Sequence, residues 1–478
     1  MPSSKLKTAK AVQDSAALHF RLHYNCCKNC RCQNFGLVES ADYLAESFQL
    51  GYPALHCKAC GSYPPLVDSE SVNRIIDERA KQYLSKAPCG CGNCEPGFFL
   101  GPSVGVKRYG KTGANSQRYQ CRQCESVFTQ VSIKGEEQLA TLFNSLSLGH
   151  SPQKIMQQLS IAPKIYYQLL QRLFHCLRFY TRQQEQKSLN GSFIAIHTES
   201  QIHAFSEQKK IWTLCSTEVN SGYVLLHSHN QTQLELNDNA YYQQKASTLL
   251  PSLTESPIVE ALKRRYQLTL NRYHFEDLHY GPTVNLRGTK LLQPSVCAYA
   301  HFQLLSGFTQ HSENFHHYIE HESSIRGAAL MCCVDEIKQQ RAEIFYLYRH
   351  PRTQSDMGTT GNKVGWWNDR WFPADFGAFC GITSVQQVPA PISLPQPEAC
   401  QNYFTHLQEN MSKQLKSASS VDALFEINRA LFNYVIPDQQ GVSPAMRLGA
   451  SQKLMTGSEL VNAAVAAVNQ DHVLKFNT

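Results

Sequence analysis

Apolar and polar positions alternate in two different periods along this chain, and the change of period divides it. From Gly135 to Leu148 the apolar residues Leu139, Leu142, Phe143 and Leu146 recur at helical spacing. Ser151-Pro152 then reads as an N-cap followed by a first-turn proline, opening a helix that carries Ile155, Met156 and Leu159. Ser160-Ile-Ala is a tight turn, and Pro163 opens a longer helix to about Tyr180. Its inward face is predicted as Ile165, Leu169, Leu170, Leu173, Phe174 and Leu177. Its outward face is Lys164, Tyr167, Gln168, Gln171 and Arg172. After Gly191 the period becomes that of strands, beginning at Ser192, Ile211 and Gly222, with Asn220-Ser-Gly222 as a hairpin signal. Helices are predicted over 239–250, 256–266 and 296–305, with a strand near 289–292 between the last two. A long helix is predicted over 318–338 and a last strand over 342–348. Residues 351–400 show no period, are rich in proline, and hold Trp366, Trp367 and Trp371. Three C-terminal helices follow, at 403–416, 421–434 and 457–468.

A short helix, a three-residue turn and a second helix fit a helix-turn-helix, whose outward donors suit phosphates and base edges. The bland alternative is a plain three-helix packing module. Three antiparallel strands followed by helix, strand and helix is the order of a ribonuclease-H-like core.

Cysteine changes the picture of the N-terminal part. Eleven of the 18 cysteines precede residue 125. Cys27-x-x-Cys30 and Cys57-x-x-Cys60 are separated by 26 residues, as are Cys91-x-x-Cys94 and Cys121-x-x-Cys124. Cys27 to Cys91 and Cys57 to Cys121 are both 64 positions, so one unit reads as duplicated. Two CxxC turns supply four thiolates to one tetrahedral ion, and such a closed site is structural. Two structural zinc ions are therefore expected, with disulfides or free thiols as the alternative. Cys26, Cys32 and Cys89 lie close enough to substitute as ligands. A helix is expected between the first two pairs, from Val38 to Phe48, and a helical linker over 71–79. Val106 to Tyr119 reads as a basic, glycine-punctuated hairpin, in which Lys107, Arg108, Lys111 and Arg118, with Arg122 beyond, are suited to phosphate contact.

Net charge is +7, but residues 1–190 hold 23 Lys+Arg against 13 Asp+Glu, and the rest 22 against 25. A basic front on a nearly neutral body suits a polyanion partner. No apolar run reaches the roughly 18 residues a membrane span needs, and the N-terminus has no signal-peptide pattern. A cytoplasmic protein is expected, with DNA and a second copy of the chain as partners, no membrane and no small-molecule substrate. The fold class is multidomain α+β. Its expected parts are a first zinc-ribbon unit at 1–62, a linker helix and second ribbon at 63–131, and a helix-turn-helix at 135–182. A ribonuclease-H-like core at 191–350, a Pro/Trp-rich insertion at 351–400 and a helical region at 401–478 complete it.

This order of parts, with the ribbon ending Arg118-Tyr-Gln-Cys-Arg-Gln-Cys-Glu-Ser-Val-Phe-Thr129, resembles bacterial insertion-sequence transposases with a DDE-type core. Tyr318-Ile-Glu-His-Glu-Ser-Ser-Ile-Arg326 resembles the helix bearing the family's last catalytic carboxylate, which falls on Glu320. Asn433-Tyr and Val442-Ser-Pro-Ala-Met-Arg-Leu-Gly449 resemble the tail after it. The resemblance implies three carboxylates holding two divalent cations such as Mg²⁺ for phosphoryl transfer. The chain departs from that pattern. His197 stands at the first position and Pro294 or Ser295 at the second, with Glu199, two residues after His197, as a substitute acid. Three readings stay open. The first is a transposase-derived, zinc-dependent DNA-binding protein without strand transfer. The second is an active transposase or nuclease using a rearranged carboxylate set. The third is a regulatory or defence-linked interaction protein.

Overall fold

A computed structural model describes residues 23–47, 53–83, 106–129, 135–242, 286–349, 371–383 and 398–477, with short gaps inside these ranges. The chain divides into two compact units. One comprises Met1–Phe20, Asp77–Ile133 and Asn469–Thr478; the other comprises Arg21–Ile76 and Lys134–Val468.

In the second unit the N-terminal segment forms a two-stranded antiparallel ladder, β1 (Tyr43–Ser47) with β2 (Ala54–Cys57). The helix expected between the first cysteine pairs is thus a strand, because it supplies the ladder partner of the Cys57 segment. Helix α1 (Ser69–Tyr83) follows and bears out the helical linker, with Asp68 accepting from Ser71 N. In the first unit β3 (Val106–Lys111), β4 (Gln117–Cys121) and β5 (Val127–Thr129) form a three-stranded antiparallel sheet, containing the expected basic hairpin.

The helical set comprises α2 (Glu136–Ser147), α3 (Pro152–Leu159) and α4 (Pro163–Ser188). Ser151 caps α3 by accepting from Lys154 N, and Ser160 closes it in a left-handed conformation. Residues 160–162 then join α3 to α4. Helix α4 continues eight residues beyond the expected end because its distal half buries Arg178, Thr181, Arg182 and Glu185. Ile165, expected inward, is 41% exposed, and Tyr166 takes the buried place at 1%.

The body is a seven-stranded mixed sheet. Strands β6 (Phe193–Ser206), β7 (Lys209–Glu218) and β8 (Val224–His229) form an antiparallel meander. Short β9 (Gln231–Thr232) and β10 (Lys290–Leu291) pair apart from it. After α5 (Pro294–Thr309), β11 (Asn314–Glu320) lies parallel to β6. Helices α6 (Ser323–Cys332) and α7 (Val334–Lys338) lead to β12 (Ala342–Arg349), parallel to β11. The single helix expected over 318–338 is therefore corrected to a strand and two helices. Phe315, Tyr318 and Ile319 are buried in the middle of the sheet, and that burial overrides the local helical pattern. The Pro/Trp-rich stretch is not wholly irregular either, since β13 (Trp371–Ala374) and β14 (Gly377–Gly381) extend the sheet beyond β12. Trp366 and Trp367 lie outside the described residues, as do the helix expected over 256–266 and all of the one expected over 239–250 beyond Tyr242, whose described start is a short 3-10 turn, Asp238–Ala240.

The sheet order is β13-β14-β12-β11-β6-β7-β8, with helices on both faces. On one face His301 of α5 meets Ser216 and Ser228. On the other, Cys400 of α8 (Glu398–Gln414) meets Thr217, the next residue along β7. Helix α9 (Val421–Tyr434) lies beneath α4 and α8, buried almost all round. Short α10 (Pro444–Arg447) and α11 (Gly457–Asn477) end the described chain.

Candidate metal centre

The ladder of β1 and β2 brings four sulfurs to one point. The Sγ atoms of Cys27, Cys32, Cys57 and Cys60 all lie within 4.8 Å of one another. Cys27 and Cys60 are 3.5 Å apart, and Cys32 and Cys57 are 3.8 Å apart. Tetrahedral Zn–S bonds of about 2.3 Å place sulfurs about 3.8 Å apart, so this cluster fits a four-sulfur zinc ion. Cys30 was expected in the set, and Cys32 takes its place. Cys30 Sγ instead points at the carbonyl of Ile382, 3.3 Å away. The turn is responsible: Cys32 N donates to Asn29 O, which swings Cys32 inward.

Burial pushes the Cys27 and Cys32 thiols up, and hydrogen-bond donors around the sulfurs work against it. Asn34 N donates to Cys32 Sγ at 3.4 Å, and Asn34 Nδ2 donates to Cys57 Sγ at 3.5 Å. Ser62 Oγ lies 3.0 Å from Cys60 Sγ. Cys60 is lowered to about 6: burial opposes ionisation, but the hydrogen bonds from Ser62 prevail. Asn34 is itself pinned by Asp42 and Ser40, so the donors around the sulfurs are fixed.

This knuckle is seated on the α/β body. Tyr24 and Tyr299 rings meet at 4.6 Å, Lys28 lies over the Tyr299 ring, and Cys26 touches Met331. Of the second expected knuckle, Cys91, Cys94 and Cys124 lie outside the described residues, and Cys121 closes β4.

The expected DNA-contacting residues fall in two places. Lys164, Gln168 and Arg172 are exposed on α4, with Tyr167 and Gln171 half-buried beside them. Lys107 and Lys111 are exposed on the basic hairpin, where Arg118 lies over the Tyr109 ring. Arg108 stands on the same strand, and Arg122 lies outside the described residues.

The expected catalytic acids Glu199 and Glu320 stand on neighbouring strands, β6 and β11, which pair in parallel with Thr198 beside Ile319. Glu320 ends β11, on a strand and not on a helix, and its Oε2 accepts from Ser200 N at 3.1 Å and Ser200 Oγ at 2.7 Å. Glu199 accepts from Gln401 Nε2 at 2.8 Å. Pro294 and Ser295, aligned with the second acid, open α5, because the strand beside β6 is β11. Among the described residues Glu199 groups with His197 and Cys400. Sequence reading gave no signal for Cys400, which reaches β6 from two hundred residues away.

Among the described residues no helix is long and apolar enough to cross a membrane. No protein-family model, curated protein or solved structure matches this chain.

Proposed function

We propose that the chain is a zinc-dependent, transposase-derived DNA-binding protein without strand-transfer activity. The observation that carries this reading is the exposed stripe Lys164, Gln168 and Arg172 on α4, opposite a face fixed by Tyr166, Leu169, Leu170 and Leu173. Residues four apart share a helix face, and the stripe spans about 12 Å, a length suited to the major groove. It follows a short helix and a three-residue turn, the arrangement of a helix-turn-helix.

Two further observations support the descent. The run β8-β7-β6-β11-β12, antiparallel for three strands and then parallel, is the order of a ribonuclease-H-like core. The positions where that core would hold acids carry His197 and a Glu320 already engaged by Ser200. Mg²⁺ demands oxygen ligands, so a histidine in the first place disfavours the two-cation chemistry.

Titration of the full chain with labelled duplex DNA across a range of salt tests the reading. Binding should be micromolar or tighter at low salt and weaken as salt rises. Lys164→Ala/Arg172→Ala should weaken it and lower the salt slope by about 2. No affinity for any duplex at low salt refutes the reading. Mg²⁺-dependent cleavage abolished by Glu320→Gln would favour the nuclease alternative.

A further inference from the structure

We propose a second metal site in the body of the protein, formed by His197, Glu199 and Cys400 and selective for a thiophilic divalent ion of the zinc class. It is independent of the DNA-binding reading. His197 and Glu199 are two apart on β6 and share its face, and Cys400 stands in the first turn of α8, which packs there. A ring nitrogen, a carboxylate oxygen and a sulfur, one from each residue, all lie within 4.8 Å of one another. Ligands of a tetrahedral zinc are separated by about 3.3–3.8 Å, so closure on an ion needs movements of about 1 Å.

The setting supports the assignment. His197 and Cys400 are 3% and 0% exposed, while Glu199 is half-buried and gives the trio an edge toward solvent. An imidazole, a thiol and a carboxylate meeting between a sheet and a helix is costly burial for three polar groups, and an ion that all three bind would offset it. Gln401 Nε2 fixes Glu199, and Thr217 Oγ1 lies 3.5 Å from Cys400 Sγ, so two ligands already have orienting partners. The thiolate excludes Mg²⁺ as the natural occupant and favours zinc. Three protein ligands leave a fourth position for a water or a substrate oxygen, the coordination of a catalytic rather than a structural zinc.

The test is the zinc content of the purified full chain after equilibration with zinc. Cys400→Ser should carry one zinc per chain less than wild type, Cys57→Ser should also lose one, and the double variant should lose two. Equal zinc in wild type and a folded Cys400→Ser overturns the proposal. If circular dichroism shows that Cys400→Ser does not fold, Glu199→Gln decides. Chelator competition should then show one zinc held about tenfold or more weakly, and an unchanged affinity overturns the proposal.

Discussion

Single residues set how this protein responds to acid and how its knuckle sits. Burial lowers His203 and His406 to about 4 and His317 to about 3. The folded state therefore keeps them neutral, whereas the unfolded chain takes up protons below about 6.5. Stability is full above that value and is lost as pH falls toward 4, by roughly 2 kcal/mol per histidine at pH 5. Urea unfolding at pH 7.5 and pH 5 should show the loss, and His203→Phe, packed against Phe205 and Phe404, should remove its share. Unchanged midpoints would contradict this. Gly36 has φ +69°, and an added Cβ would collide with Val334 Cγ1. Gly36→Ala should destabilise by about 2 kcal/mol or more. Adding Val334→Ala should restore the collision part and leave the backbone part, as thermal melts of both variants will tell. The ligand set shows the limit of reading residues from sequence. The CxxC spacing selects Cys30 as the partner of Cys27, but a turn hydrogen bond, invisible in the spacing, presents Cys32 instead.

At the scale of elements the governing contact is between α4 and α9. Arg429 bonds Glu185 and Glu426 at 2.6 Å each and also donates to the carbonyls of Val224 and Leu225. Tyr223 Oη donates to Glu185, and Arg178 lies 3.5 Å from Glu426. All these charged groups are buried, so removing one strands the others. Arg429→Ala should cost about 3–5 kcal/mol in chemical unfolding, while a loss below about 1 kcal/mol would mean that the network is not coupled. Elements with a consistent period were legible: Val421–Tyr434 falls where its apolar spacing put it, as do α2, α3 and the start of α4. Asn314–Glu320 was not, because its short polar-aromatic run carries no period and runs into a real helix. Only pairing with β6 and β12, long-range in sequence, makes it a strand.

For the molecule as a whole, the four-sulfur knuckle braces the body. Tyr24 and Cys26 press on α5 and α6, and Cys30 reaches the carbonyl after β14. Stripping metal with a chelator should therefore lower the unfolding temperature of the body and not merely free the knuckle. Calorimetry before and after treatment checks this, and an unmoved main transition would show the knuckle to be an appendage. The buried partners of α4 have one more consequence, which concerns manufacture. Glu185 emerges from the ribosome 244 residues before the guanidinium that neutralises it. A chain still being made can shape the first turns of α4, yet cannot bury the far end. The distal half of α4 thus matures only once Arg429 has been made, and a product terminated before that residue would carry exposed charge where the longer chain carries a sealed joint.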